Sequence, residues 1–297
     1  MDLKMQGYNF RMPTMKNNSL ILLMCLILFS LKSYTAEPVP DRENKLSIGA
    51  GAAHNSMPYT AMDSTLQAVP LFDIQFGPLF AYNHHDEPVL GLELFRHKRV
   101  MFALAAIYGS QELDVSEADI DNSWIYYGID DRDKATEVAI LFEFYSKVGL
   151  VEILVARDVS NTYDDFRSSI SWSRPFHETG NWTITPRMYG RYYSIKYNNY
   201  YYGITEEEMD AALIINQEIG SNGDFFTDNQ YRSVRPAYEA GNGAHFGVDL
   251  SIDYHFTKNL KAQGYIGLEQ LGGQVTSSII TEDADIWRLS LGLTYTL

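Results

Sequence analysis

The chain has 297 residues, of which 45% are apolar and 13% aromatic, so it has enough apolar side chains to fold and is not expected to be disordered. The formal charge of −15 excludes a nucleic-acid partner, because phosphate binding requires clustered Lys and Arg. A mean hydropathy of −0.21, without any run of 18 apolar residues, excludes a bundle of transmembrane helices but not a membrane barrel, whose inward half is polar.

The first 36 residues have the layout of a secretory signal peptide behind a short extension. Lys16 precedes the ten-residue apolar run 20–29, and small residues follow up to Ala36. Ten apolar residues are too few to span a bilayer. The only cysteine, Cys25, lies in this run, so disulfides are not expected in the exported protein. We predict an extension and signal peptide over residues 1–36 and one domain over 37–297.

After the signal segment, the chain repeats stretches with the period-two alternation of β-strands. In the last stretch, the odd-numbered residues from Trp287 to Leu297 are apolar and the even-numbered ones are polar or glycine. No helix longer than about two turns is expected. Twelve strands are predicted, at 46–54, 66–76, 79–83, 89–96, 100–108, 136–146, 150–157, 166–173, 181–193, 245–256, 260–270 and 286–297.

The lengths of the connections alternate between short and long. The short ones are 77–78, 97–98, 147–149, 177–180 and 257–259, and the long ones are 111–134, 198–244 and 272–285. Short turns at one end and long loops at the other are typical of outer-membrane barrels. The sequence therefore predicts an all-β fold, a transmembrane antiparallel up-and-down β-barrel of about 12 strands, with 10 also possible. We expect it in the outer membrane with its long loops outside.

Aromatic residues gather where the predicted strands meet the long loops. They are Trp124, Tyr126, Tyr127, Tyr192, Tyr193, Tyr200, Tyr201, Tyr202, Phe225 and Phe226. This placement favours a girdle at the membrane interface. The alternative is a tyrosine-rich binding surface on a soluble protein.

Five segments, taken in order, resemble the MipA/OmpV family of outer-membrane proteins. They are AVPLFDIQFGPLFAY (68–82), GIDDRDKATE (128–137), ARDVSNTYDD (156–165), NNYYYGIT (198–205) and YHFTKNLKAQGYIGLEQLGG (254–273). The resemblance runs from about residue 44 to the end, although VTSSII (275–280) replaces the family's Asp-Ser-Pro. It implies a non-enzymatic barrel, either a scaffold for periplasmic murein synthases and hydrolases such as the lytic transglycosylase MltA, or an adhesion protein.

No set of residues in the sequence forms a recognisable catalytic or metal site. Ser221 has no histidine two residues before it, and His54 and Ser56 share a strand face without a third partner. The three adjacent residues at 84–86, His-His-Asp, cannot all converge on one metal ion. We therefore predict no catalytic, cofactor-binding or metal site and no enzyme. A small channel or a lipid-active outer-membrane enzyme is the alternative function.

Strand parity also predicts charged side chains inside the barrel. Acidic and imidazole groups point inward at Asp249, Asp253, His255 and Glu269, and we expect them to balance the arginines Arg187, Arg191 and Arg288. The acidic loop residues Glu117, Asp119 and Asp121 lack the glycine and the final glutamate of a calcium loop. These residues and TEEEMD (205–210) are expected to be solvated, with weak divalent-cation binding beside lipopolysaccharide as the alternative. Outer-membrane lipid and lipopolysaccharide are predicted to surround the barrel.

Overall fold

The computed structural model describes residues 43–84, 87–109, 111–118, 123–177, 180–221 and 236–297. All of them belong to one compact unit, Ala36–Leu297. The predicted signal segment lies outside the described residues, so that segment and the domain boundary after residue 36 remain predictions.

The described residues contain thirteen strands that form one antiparallel sheet. These are β1 (Lys45–Asn55), β2 (Thr65–Phe76), β3 (Leu79–His84), β4 (Glu87–His97), β5 (Val100–Tyr108), β6 (Thr136–Ser146), β7 (Gly149–Asp158), β8 (Phe166–Ser173), β9 (Phe176–His177), β10 (Trp182–Tyr193), β11 (Gly243–His255), β12 (Leu260–Gln270) and β13 (Asp285–Thr296). Each of the twelve predicted strands is present, and its ends lie within two residues of the prediction.

The sheet closes into a barrel because β13 pairs with β1 as well as with β12. The short strands β8 and β9 both pair with β10 in one continuous register, so together they make a single strand of the wall. Pro175 lies at the break between them, since proline has no N–H to donate to a ladder. The wall therefore has twelve strands, which confirms the predicted fold and excludes the alternative of ten strands.

The two ends of the barrel differ in their connections, and we name them accordingly. The turn end carries the connections 77–78, 98–99, 147–148, 178–181 and 256–259. The loop end carries 56–64, 85–86, 109–135, 159–165, 194–242 and 271–284. The predicted alternation is confirmed, and 85–86 is one short connection on the loop side.

The longest connection, 194–242, contains two helices, α1 (Ile195–Tyr202) and α2 (Glu206–Ser221). The backbone N–H of Glu208 donates to Thr205 Oγ1 at 3.1 Å, and the Glu208 carboxylate accepts from the Thr205 N–H at 2.8 Å. This reciprocal capping box fixes the start of α2. With 16 residues, α2 shows that the expected two-turn limit on helices was wrong. Short 3₁₀ helices occur at Val115–Glu117, Ser123–Tyr126 and Gly273–Ser277.

No helix in the described ranges is long and apolar enough to cross a membrane.

Side chains alternate between the lumen and the outer face as the sequence predicts. In β13, outward Leu291 is 68% exposed whereas inward Thr294 is 5% exposed. A continuous apolar outer surface of this kind requires lipid around it, because soluble monomers rarely expose large apolar patches. On one side of the lumen, which we call the apolar side, inward residues of β3 to β7 pack into a buried apolar cluster next to the buried Glu93: Phe80, Val89, Met101, Ala103, Ala105, Ile107, Ala139, Leu141 and Ala156.

Candidate functional site

Opposite the apolar side, the lumen contains a buried charge network centred on Glu269 of β12. Its carboxylate accepts hydrogen bonds from Arg288 at 2.8 Å, Arg191 at 3.1 Å and the Tyr189 hydroxyl at 3.1 Å. His245 Nδ1 lies 3.5 Å from the other carboxylate oxygen. Glu269 is 1% exposed, so these partners replace the water that an ionised carboxylate would otherwise require.

A second buried group joins the apolar side to the charged side. Arg167 of β8 donates through Nε and Nη2 to Glu137 at 2.8 and 2.7 Å, a bidentate pair, and through Nη2 to Glu87 at 3.0 Å. The Tyr163 hydroxyl donates to the same Glu137 carboxylate at 2.5 Å. Bidentate arginine–carboxylate contacts are among the stronger polar interactions, so this group braces β6 against β8 and β4.

The predicted lumen network is confirmed in part. Asp249 lies 3.5 Å from Arg187 and accepts from the Tyr265 hydroxyl at 2.9 Å, and Glu269 binds the other two predicted arginines. Asp253 instead pairs with Lys261 at 3.2 Å, and His255 is exposed at the end of β11. Asp253 and His255 lie further along β11 toward the turn end. The alternation of faces predicts which side chains point inward but not how far along the barrel they lie.

The lumen also contains a cavity of about 650 Å³ along β1, β2 and β11 to β13. Small inward residues make room for it, including Ser47, Ser290 and Gly292. Leu71 occupies the space beside Gly292, where a Cβ atom would collide with it. Lys258 and Asn259 of the connection 256–259 line the cavity, so it reaches the turn end. Its lining combines charged side chains such as Lys45 and Asp73 with apolar ones such as Val69, so it can hold water or a small amphipathic solute.

At the loop end, the long connections bury a shared apolar core, which we call the cap. Its buried members are Tyr59, Leu113, Ile125, Tyr126, Ile129, Ala135, Tyr163, Tyr193, Tyr197, Tyr201, Tyr202, Ile204, Ala240, Leu271, Val275, Ile280 and Ile286. The Tyr197 ring lies at the centre of an aromatic cluster, with centroids 4.3 Å from Tyr193 and 4.8 Å from both Tyr163 and Tyr201. Burial raises the pKa of Tyr197 well above its usual value, so the phenol stays neutral in the cap.

The predicted interfacial girdle is therefore wrong for several of its tyrosines. Tyr126, Tyr193, Tyr201 and Tyr202 are buried in the cap, because the chain folds inward over the lumen after each strand ends. Tyr192 does face outward. The side chain of Trp124 and the residues Phe225 and Phe226 lie outside the described part of the chain.

One buried ion pair fastens α2 to the connection 109–135. The Arg132 guanidinium donates to Glu208, and the Asp130 N–H reaches the same carboxylate at 3.2 Å. Gly128 has a φ of +75° and lies against the backbone of α2, where a Cβ would collide. Although burial opposes ionisation, hydrogen bonds from the Thr205 backbone and from Arg132 hold the pKa of Glu208 below its usual value. The expectation that this acidic stretch is wholly solvated is thus wrong at Glu208.

The candidate catalytic residues do not come together. His54 is exposed on the outer face of β1. Ser56 lies in the connection that follows β1, where its hydroxyl oxygen accepts a hydrogen bond from the Trp287 N–H at 2.7 Å. The side chain of Ser221 lies outside the described residues.

Only some of the candidate metal ligands lie within the described residues. The side chains at 84–86, and the residues Asp119 and Asp121, fall outside the described ranges. Within those ranges, no group of three or more His, Cys, Asp or Glu residues is arranged to hold a metal ion.

Comparison with known proteins places these features in context. A family model described as MltA-interacting protein MipA matches residues 48–297. The putative outer membrane protein YiaT of Escherichia coli K12 is 28% identical, and the match covers 56% of this chain and only 64% of YiaT. The MltA-interacting protein of the same organism is 20% identical over 88% of this chain and 94% of its own length. Among solved structures, the NanC porin aligns with a TM-score of 0.41 and 7% identity, over 85% of this chain and 100% of that chain.

Proposed function

The chain belongs to the MltA-interacting protein MipA family, and from this premise we propose that it is a non-enzymatic outer-membrane scaffold for periplasmic murein enzymes. YiaT is named as a putative outer membrane protein and further relatives are named as outer membrane proteins, and this barrel is an outer-membrane protein too. The name of one relative, which is similar over most of both chains, supports a lytic transglycosylase as a partner.

The observation that carries this proposal is the closure of the loop end by the cap. Side chains from the long connections pack into one apolar core above the lumen, and the buried ion pairs of Glu269 with Arg191 and Arg288 cross the lumen below it. Such an arrangement favours a rigid platform over a wide pore. Because outer-membrane barrels have short periplasmic turns, the turn end faces the periplasm in this proposal and presents its five short connections to the partner.

The same orientation places the loop end in the lipopolysaccharide leaflet. We infer that lipopolysaccharide contacts the outer face near the cap, while phospholipid contacts the outer face near the turn end. An adhesion role would instead use the outer surface of the long connections.

A binding measurement tests the scaffold proposal. Purified barrel in detergent is immobilised, and its affinity for purified MltA is measured for the wild type and for Lys147→Glu/Lys258→Glu. Both lysines are exposed in turn-end connections, so we expect the double substitution to weaken binding at least about tenfold. The single reversal Lys134→Glu, at the loop end, is the control for charge reversal away from the turn end. Equal binding by all three proteins, or loss only in the control, would contradict a turn-end partner site.

The cavity that reaches the turn end supports a small channel as the second candidate. Planar-bilayer recordings distinguish the two functions, because a barrel closed by its cap should remain silent. Steady conductance of the wild-type protein would favour the channel. Hydrolysis of phospholipid or lipid A by the purified barrel would overturn the non-enzymatic part of the proposal.

A further inference from the structure

Two cations project outward at the rim of the loop end, outside the lumen and the cap. Arg157 is the penultimate residue of β7, and its neighbours Ala156 and Asp158 face the lumen, so its side chain points to the lipid side and is 68% exposed. Lys196, in the first turn of α1, is 58% exposed. Asp164 lies between them, 3.7 Å from Arg157 and 2.9 Å from Lys196.

The connection that carries Asp164 is held in place before any ligand arrives. The Asp158 carboxylate accepts hydrogen bonds from the backbone N–H groups of Ser160, Tyr163 and Asp164, at 2.8, 2.7 and 2.8 Å. Lys196 also donates to the Asp164 carbonyl at 3.1 Å. A site whose backbone is already ordered loses less entropy when it binds.

Below the two cations, the outer face is apolar. Phe166 is the register partner of Arg157 on β8, and Val155 precedes Arg157 by two residues on the same face of β7. Further toward the middle of the barrel this face continues through Ile153 and Ile170, and all four apolar side chains are exposed. Positive charge directly above an apolar strip matches a lipid whose head group is anionic.

The rest of the loop end is rich in carboxylates. Elsewhere at the loop end, Arg132 is buried against Glu208, and Lys134 pairs with Glu112. The connection 109–135 carries several further carboxylates, in a protein of net charge −15. Carboxylates predominate in that connection, whereas Arg157 and Lys196 share Asp164 between them beside Asp165, so an anionic head group can reach the two cations only by displacing the Asp164 carboxylate.

We propose that Arg157 and Lys196 bind a phosphate group of lipopolysaccharide, with the acyl chains of the lipid lying along the strip below. The phosphate takes the place of the Asp164 carboxylate between the two cations, because an arginine fork and an ammonium group suit a phosphate with three acceptor oxygens. The bound molecule is the outer-leaflet glycolipid, since free phosphate would gain nothing from the apolar strip. This assignment rests on the lipopolysaccharide contact proposed above.

Native mass spectrometry of the full-length barrel, exchanged into mild detergent with added bisphosphorylated lipid A, tests the site. In Arg157→Gln/Lys196→Gln, retention should fall about 30-fold, because each cation near an anionic surface contributes roughly fivefold. Lys98→Gln/Arg99→Gln removes two charges from a turn-end connection and should retain lipid A like the wild type. Dephosphorylated lipid A should bind all three proteins equally weakly.

Asp164→Asn separates a phosphate site from a merely structural ion pair. If phosphate displaces this carboxylate, its removal should increase lipid A retention several-fold, and asparagine tolerates the left-handed backbone there, where φ is +48°. Reduced retention would mean that Asp164 takes part in binding through a bridging cation, and would overturn the proposal. Equal retention by the wild type and the Arg157/Lys196 variant would refute the site, and a wild type that retains no lipid A would refute the contact itself. Binding to MltA is measured separately, so it can fail without affecting this result.

Discussion

The ion pair between Arg132 and Glu208 is expected to hold the cap closed, and Glu208→Gln isolates its contribution. Glutamine keeps the length of the side chain and can still complete the capping box with Thr205, so the start of α2 is preserved. The substitution removes the charge that faces Arg132 and replaces the oxygen that accepts from Arg132 and from the Asp130 N–H with an amide NH2 group. Because Glu208 is 5% exposed and Arg132 is 7% exposed, the guanidinium is then left buried without a counter-charge.

Loss of one partner from a buried pair costs about 3–5 kcal/mol. The barrel wall does not depend on this pair, so the cost should appear as local opening of the cap and not as global unfolding. Amide hydrogen exchange in α2 should therefore accelerate by a factor between about a hundred and several thousand. Exchange followed by mass spectrometry on protein in detergent measures this factor, with the amides of β12 and β13 as the internal reference.

Glu206→Gln is the matched control, because it removes the same charge from the same helical turn at an exposed position. Its only expected effect is a weaker interaction with the helix dipole, at most about 1 kcal/mol or fivefold in exchange. If both variants exchange at the same rate, the ion pair does not secure the cap. Faster exchange throughout β12 and β13 would show that the cap and barrel open together.

Three further predictions concern the lipid face, the lumen and pH. Leu291→Arg, at mid-height on the outward face of β13, should cost about 2–4 kcal/mol and impair assembly, whereas the inward Ser290→Arg should be better tolerated. Heat-modifiable gel migration compares them, and equal defects would contradict the assignment of faces. Glu269→Gln should lower the free energy of unfolding by about 3–5 kcal/mol, because it leaves two buried arginines without a counter-charge. Asp253→Asn should lower it by less than about 1 kcal/mol, because its partner lysine is partly exposed. Urea unfolding in vesicles tests this order. Because the pKa of Glu208 is lowered in the folded protein, its stabilisation is present above the unfolded pKa of about 4.3 and is lost as the pH falls through the lower folded pKa. The protection factors of the cap amides, which correct for the intrinsic pH dependence of exchange, should therefore fall below about pH 4 in the wild type but not in Glu208→Gln.

The sequence alone determined the wall of the barrel. A strand exposes alternate residues to opposite faces, so Leu291 and Ser290 reveal their environments without knowledge of any partner strand. The alternation of short and long connections then separated the turn end from the loop end. The resemblance to the MipA/OmpV family, seen in five ordered segments, is confirmed by the match over residues 48–297. The start of α2 was also readable, because Thr205 and Glu208 have the spacing of a capping box, although the acidic run was interpreted as a solvated loop.

Only the tertiary structure decided which residues meet in the lumen and the cap. Parity places Glu269 and Asp253 on the inward face, but the register and tilt of neighbouring strands determine that one meets two arginines and the other a lysine. Tyr197 and Tyr202 are buried through contacts with side chains from other connections, as are Arg132 and Glu208, which are 76 positions apart. Strand patterns arise from local backbone geometry, whereas cap contacts depend on how separate loops fold over a closed barrel, and no local pattern in the sequence encodes that closure.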